Sequence, residues 1–250
     1  MRIDILTLFP DMFGGFFTCS IVGRAVGRGL VDIRLHDIRA FTYDKHHVVD
    51  DYPYGGGAGM VLKPEPVFEA AEFAKQDAGL SSVHTVLLSP QGRLLNQNIV
   101  RELSGYQQLV LVCGHYEGID ERVAAYLTDE EISIGDYVLS GGEVAAMVIV
   151  DCIVRLLPGV VGSEASLVEE SYTDGFLEYP QYTRPAVFRG LEVPSVLLSG
   201  NHEQVARWRR QQSLMRTAKR RSDLMKKAVL SDEDKKLLNE ALQNQVIEGM

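Results

Sequence analysis

The sequence is poor in cysteine. Cys19, Cys113 and Cys152 are odd in number and widely scattered, and no spacing suggests a disulfide framework or a zinc site. That argues for a reduced, cytoplasmic setting. A secretory leader is also missing, because Asp4 and Pro10 interrupt the apolar start MRIDILTLFP. No segment qualifies as a membrane span. The most apolar helix in prospect, Glu143 to Leu157, is too short and carries Asp151 and Arg155. No G-x-G-x-x-G follows the first strand, which counts against a Rossmann dinucleotide site. The glycine cluster at 55–59 is not closed by Gly-Lys-Ser/Thr, so it is not a phosphate loop. Internal repeats and low-complexity tracts are absent.

What is present suits one large domain or two smaller ones: 250 residues, 46% of them hydrophobic. The formal net charge of −9 argues by itself against nucleic acid. The charge is uneven, however. Between Asn201 and Lys227 stand nine Lys or Arg and two acids, leaving 16 basic and 32 acidic residues elsewhere. A basic segment on an acidic body suggests a polyanionic partner.

Strands and helices alternate. Arg2 to Phe9 reads as a strand closed by Pro10, then a helix with Phe13, Phe16 and Phe17, then a strand from Val31 to His36. Pro66 to Lys75 reads as a helix, Val83 to Leu88 as a buried strand, Asn96 to Leu103 as a helix. Leu109 to Cys113 is another buried strand, with a helix from about Asp120. This alternation implies an α/β fold with a parallel sheet covered on both faces.

The chain is organised around Ile132 to Gly142, ISIGDYVLSGG. Ile132, Ile134, Val138 and Leu139 are β-prone residues around a Gly135-Asp136 turn. Ser140 with Glu143 three residues on forms a capping-box pattern for the next helix. That helix is apolar nearly all round, which fits a core or a subunit interface. Taken alone, the stretch reads equally as a small-molecule site or as a tight turn with no ligand. Three apolar strands nevertheless end in such turns. In open parallel sheets ligands sit beyond the carboxyl ends of the strands. Leu88-Ser89-Pro90, Gly114 to Glu117 and Ile134 to Gly142 are therefore expected to converge on one pocket.

Asp44 to Met60, DKHHVVDDYPYGGGAGM, is polar and then glycine-rich. Four glycines in five residues imply backbone shapes or close approaches that side chains would forbid. It is a flexible surface loop or part of a site; His46, His47, Asp50 and Asp51 favour a site. No second ligand cluster makes the histidines a metal centre. Residues 162–174 read as an exposed linker, and Val205 to Met215 and Ser222 to Val229 as helices. Arg207, Arg209, Arg210, Arg216, Arg220 and Arg221 form a solvated face or a phosphate-contacting surface; with few acids to pair them the second is favoured. Ser231 caps a last helix with Asp232, Glu233 and Asp234 at its positive end.

Six segments together carry a resemblance: LLSPQG (87–92), CGHYEGIDER (113–122), SIGDYVLSGGE (133–143), DDYPYGGGAGM (50–60), YTRPAVFRGLEVPSVLLSGNH (182–202) and WRRQQSLMRT (208–217). In order and spacing the chain resembles the bacterial tRNA (guanine-N1)-methyltransferases over essentially its whole length. The resemblance implies a SPOUT-like catalytic domain over 1–161, with a parallel sheet and a trefoil knot at its C-terminal end. A linker over 162–175 and a small all-helical tRNA-binding domain over 176–250 follow. It implies S-adenosylmethionine (AdoMet) held by Leu88, Ser89, Pro90, Gly114, Tyr116, Glu117, Ile134, Gly135, Asp136, Tyr137, Val138, Leu139, Gly141 and Gly142. Family members are homodimers with the active site between subunits, and they methylate nitrogen 1 of the guanosine just 3′ of the anticodon.

That chemistry needs a base for the N1 proton and a cation or donor facing the neighbouring carbonyl. Arg155 matches the family arginine in the second role. The family base is an aspartate before Ser-aromatic; here Glu170 holds that place, one methylene longer, with Glu169 and Asp174 as neighbouring alternatives. His46, Asp50 and Gly59 match positions near the guanine, and Arg216 and Arg220 are the expected phosphate contacts. Tyr52 stands where many relatives carry Arg. A magnesium requirement goes with the resemblance, without a ligand set. Two rivals remain at this stage: a knotted methyltransferase acting on ribosomal RNA, and a tRNA-binding protein that kept the fold but lost catalysis at Glu170.

Overall fold

The computed structural model describes residues 1–162 and 169–248. The chain divides into two compact units, Met1–Gly162 and Ser163–Met250. Residues 163–168 of the expected linker lie outside the described residues.

The first unit is built on five strands: β1 (Arg2–Thr7), β2 (Asp32–Asp37), β5 (Val83–Leu94), β6 (Gln108–Cys113) and β7 (Glu130–Ser133). They pair in the order β2-β1-β6-β5-β7, every pair parallel. A short antiparallel pair, β3 (Asp50–Asp51) with β4 (Val61–Leu62), frames the glycine loop. Parallel neighbours cannot be joined by tight hairpins, so the crossovers carry helices on both faces. Strand alternation divides the core accordingly. Ile3, Ile5, Leu109 and Leu111 pack with α1 (Gly14–Thr18), α2 (Ser20–Gly27), α4 (Gln97–Ser104) and α6 (Glu143–Val154). Leu6, Val110 and Val112 face α3 (Pro64–Ala78) and α5 (Glu121–Tyr126). On this second face Asp4 is fully buried; burial pushes its carboxyl up, and hydrogen bonds from His36, Arg2 and Gln108 outweigh that and hold it low.

Two local expectations need correction. Strand β5 does not stop at Leu88 but runs on to Leu94, because β7 accepts it twice: Leu88 and Arg93 both pair with Ile132, and Leu94 with Ser133. The intervening Pro90-Gln91-Gly92 signal marks an irregularity, not an end. The expected capping box at α6 is also absent. Gly142 is the cap, with no side-chain cap bond, and Glu143 is the first helical residue. Its carboxylate turns inward and accepts a 2.8 Å hydrogen bond from Thr7 Oγ1 at the end of β1. It still sits at the positive end of the helix dipole. The helix closes at Val154, with Arg155 as C-cap.

In the second unit the helices are α7 (Ser195–Leu198), α8 (His202–Arg220), α9 (Ser222–Lys227) and α10 (Asp232–Glu248). The all-helical expectation omits a hairpin, β8 (Val187–Phe188) with β9 (Leu191–Glu192). Its turn, Arg189-Gly190, has both residues at positive φ, the shape that a two-residue hairpin needs. The Arg-Gly pair is a weaker hairpin signal than Asn-Gly or Asp-Gly. The cap expected at Ser231 is there: Asp234 N–H donates to its Oγ at 3.0 Å and Asp234 Oδ2 accepts from the Ser231 N–H. Phe176, Leu214 and Leu237 form the unit's small core.

Candidate functional site

Beyond the carboxyl ends of β6 and β7, at the irregularity of β5, lies a cavity of about 300 Å³. The three turns singled out in the sequence are its walls: Leu88-Ser89-Pro90, Gly114 to Glu117, and Ile134 to Gly142 without Asp136. Asp136 is exposed and does not line it. The turn carries the backbone past the cavity on either side of Asp136. Sequence reasoning missed Glu131 and Ser133, which also line the cavity, and the residues implied by the resemblance leave out His115, which the expected turn Gly114 to Glu117 had spanned. Glu131 and Ser133 follow from the strand-end rule once the end of β7 is known. His115 sat inside a motif already chosen and was passed over between Gly114 and Tyr116.

The walls are stitched to one another by main chain. Gly142 N–H donates to Gly114 C=O at 2.9 Å, and His115 bridges to Gly141. This closeness is what the paired glycines permit. A Cβ at Gly142 would lie 2.7 Å from Cys113 Cα, and one at Gly141 would overlap Glu143 Oε2 and lie 2.5 Å from His115 Nδ1. Behind the turn, burial and the nearby Glu143 push the Cys113 thiol well up, so it is a core residue and not a nucleophile. His115 packs between Phe9 and Tyr116, with ring centroids 4.9 Å away in both cases. Its Nδ1 is buried and has no hydrogen-bond partner. An orphaned polar atom buried in a cavity wall carries a desolvation cost.

The glycine loop adjoins this cavity. Glu117 N–H donates to Met60 C=O at 3.1 Å, and Leu62 N–H to Gly118 C=O at 3.0 Å. Gly59, at positive φ, leaves the space that the Glu117 side chain occupies. Asp50 lies in β3, half-buried, and His46 is exposed ahead of it. The structure thus brings Gly59 against Glu117 of the cavity wall, with Asp50 at the base of the same loop.

Arg155 is half-buried at the C-cap of α6 in the first unit. Glu170 is half-buried in the second unit, where its carbonyl accepts from Thr173 N–H at 3.2 Å. Its two acidic neighbours are tied to α8. Glu169 accepts from Tyr179 Oη at 2.6 Å and lies 3.7 Å from Arg209. Burial, with that hydrogen bond, pushes the Tyr179 phenol up. Asp174 accepts from Arg210 Nη1 at 2.5 Å and caps Phe176 N–H.

The arginine run is therefore not a uniform surface. Arg207 pairs with Glu240, Arg209 with Glu169, Arg210 with Asp174 and Asp234, and Arg221 with Asp223. Local acids were scarce in the sequence; these partners come mostly from other elements. Arg216 and Arg220 instead line a shallow groove with Ser171, Tyr179 and Gln181. The hydrogen bond from Arg210 lowers the Asp234 carboxyl to about 2.

Among the described residues no group of three His, Cys, Asp or Glu could hold a metal ion, so no magnesium site is assigned. No described helix is long and apolar enough to cross a membrane. The cavity suits AdoMet better: glycine backbone for polar contacts, and Leu88, Ile134 and Leu139 for an apolar body.

Comparison with known proteins agrees with this architecture. The family model described as tRNA (Guanine-1)-methyltransferase TrmD matches residues 1–227. A tRNA (guanine-N(1)-)-methyltransferase of Geobacillus kaustophilus is 58% identical over 240 residues, 96% of this chain and 98% of the relative. One from Dehalococcoides mccartyi is 56% identical over 242 residues, 97% of each. One from Dictyoglomus turgidum is 55% identical over 240 residues, 96% of each. Matched by the family model over most of its length, and aligned with relatives nearly end to end, the chain belongs to the tRNA (guanine-1)-methyltransferase family.

Proposed function

We propose that this protein transfers a methyl group from AdoMet to nitrogen 1 of the guanosine just 3′ of the tRNA anticodon. The observation that carries the reading is the meeting on one cavity of two glycine-bearing strand-end turns and the irregular stretch of β5, in a chain of this family. Bound there, AdoMet supplies an electrophilic methyl on a sulfonium. The backbone of 134–139 and Gly114 would hold it. Doubled pairing of β5 on β7 and the main-chain stitching of 141–142 to 114–115 support a threaded, knotted chain at this point. The linker at 162–175 and the tRNA-binding role of 176–250 belong to the same reading.

Guanine N1 carries a proton at neutral pH. Glu170 takes it as the new N–C bond forms, and Arg155 faces the carbonyl oxygen on which negative charge builds. Glu169 and Asp174 pair with arginines of α8. His46, Asp50 and Gly59 border the guanine, while Arg216 and Arg220 grip phosphates. Homodimerisation completes the site. Its support is apolar surface beside the cavity: Val144 and Val148 on α6 and Val138 in the turn are 45%, 38% and 90% exposed. A soluble compartment rich in tRNA, the cytoplasm, is the setting this chemistry needs.

The test is direct. Protein, AdoMet and bulk tRNA are incubated, and methylated guanosine is mapped by mass spectrometry. The expected product is N1-methylguanosine beside the anticodon; no methylation, or methylation of ribosomal RNA alone, sinks the reading. Glu170→Gln should slow single-turnover methylation by about 10²–10⁴-fold while both ligands still bind. Asp174→Asn should change the rate little. Inactive Arg155→Ala and Glu170→Gln chains, mixed under subunit exchange, should recover about a quarter of the activity if the two residues meet across a dimer, since part of the heterodimer population rebuilds an intact site.

A further inference from the structure

We propose that Tyr52 and Tyr54 form a stacking platform for the unpaired nucleobases that flank the target guanosine. The inference rests on the RNA substrate proposed above and adds a specificity-determining contact to it.

Exposed tyrosines are common, so the argument lies in how these two are held. Tyr52 is 78% exposed and Tyr54 is fully exposed, two residues apart. Their loop is pinned at both ends. Val49 and Leu62 are buried in the core, Asp50 and Asp51 pair with Leu62 and Val61, and Met60 C=O is held by Glu117 N–H. Gly56 N–H closes a turn on Pro53 C=O at 3.2 Å, with Gly55 at φ 86°, which places Tyr54 at the corner. The chain has already been ordered, and what it presents to solvent is two aromatic faces. Space beside them is clear: a Cβ at Gly55 or Gly56 would meet nothing within 4 Å.

Tyr43 serves as an internal contrast. It is 88% exposed, but it lies beside Glu69 of α3, whose charge pushes its phenol up. Tyr52 and Tyr54 sit in a different electrostatic setting. Asp50 and Asp51 precede them, and Glu117 lies against Gly59. Arg122 lies near Tyr54 but is held by Asp120, so the surface beside the rings offers phosphate little attraction. The neutral face of a base suits it, and the carboxylates can accept from amino and imino groups on base edges. Stacking on aromatic rings tolerates any base and suits single-stranded loops. The same loop touches the cavity wall through Gly59, so a base stacked on it would be held near the reacting atom's destination.

The test compares Tyr52→Ala, Tyr54→Ala and the double variant with the corresponding Phe variants. Each Ala change should raise KM for tRNA about tenfold, the scale of a base–aromatic contact, and the Phe changes should restore it. AdoMet affinity and the salt dependence of tRNA binding should stay put, because no phosphate contact is lost. A stem-loop carrying 2-aminopurine beside the target should be quenched by the wild type and not by the double Ala variant. Unmoved KM in the Ala variants overturns the proposal, as do Phe variants as weak as Ala. Ala variants that turn monomeric would place the rings between copies and overturn it too. Wild-type protein that methylates no tRNA would remove the underlying reading; wild-type activity with unmoved KM removes this inference alone.

Discussion

The cavity of the first unit is made of backbone, and the arginine face of the second unit is made of side chains. At the cavity, Gly142 N–H meets Gly114 C=O and the walls are turns at the ends of parallel strands. On α8 and at its C-cap, four of the six arginines singled out in the sequence are engaged by acids within the unit. Strand ends are placed by the sheet, so turns that follow buried strands must gather at one edge. A long cation has no such constraint. Which partner it takes depends on elements far along the chain, such as Glu240 for Arg207 and Asp234 for Arg210.

The sharpest way to break this contrast is at Gly142. Gly142→Ala puts a methyl against the Cys113 main chain, which cannot rotate away. Overpacking of this kind costs about 1–3 kcal/mol, so calorimetric AdoMet affinity should fall by roughly ten- to a hundredfold in protein whose circular dichroism is unchanged. Unaltered affinity would mean that the cavity is not built on close backbone approach. Gly141→Val should act in the same direction through Glu143 and His115.

Next comes the division among the arginines. Arg216→Ala and Arg220→Ala should each lower the log–log salt slope of tRNA binding by roughly one unit, with AdoMet affinity unchanged. Arg210→Ala should leave the slope nearly in place but lower stability in urea by on the order of 1 kcal/mol, since Asp234 would lose the arginine that pairs with it. Equal salt effects from all three would restore the picture of one uniform basic face.

The smallest expected effect is in acid. Arg210 holds the Asp234 carboxyl at about 2, below its usual 3.8. A depressed carboxyl contributes stability above the unfolded value, and that contribution is lost as pH falls from near 4 towards 2. Asp234→Asn should flatten the thermal stability of the second unit over that window and leave its pH dependence above 5 unchanged. A melting curve as steep as wild type below pH 4 would show that other carboxylates dominate.

Much of the first unit was legible in residue order. Val83 to Leu88 and Leu109 to Cys113 are apolar runs too short for helices, the second ending at a glycine-bearing turn and the first at an irregularity within β5, and such runs fit a parallel sheet covered on both faces. The gathering of three turns followed from that sheet. Ser231 was legible as a cap because capping is decided within one helical turn, and the Ser231–Asp234 bonds are of that kind. Ser140 was not, although its pattern looked as good. Thr7, distant in sequence but adjacent in the sheet, takes the Glu143 carboxylate that a capping box needs.

By itself, then, the order of residues determined the alternation of strands and helices, the glycine turns, and the family motifs from LLSPQG to WRRQQSLMRT. These depend on local sterics and on burial periodicity, which act over a few residues. Only the tertiary structure decided that β5 meets β7 in two registers, that Glu143 faces Thr7, that His115 Nδ1 is stranded in the cavity wall, and which arginines are left to line a groove. Each of those outcomes is a competition between partners separated by tens of residues, and distance in space, which the sequence does not carry, selects the winner.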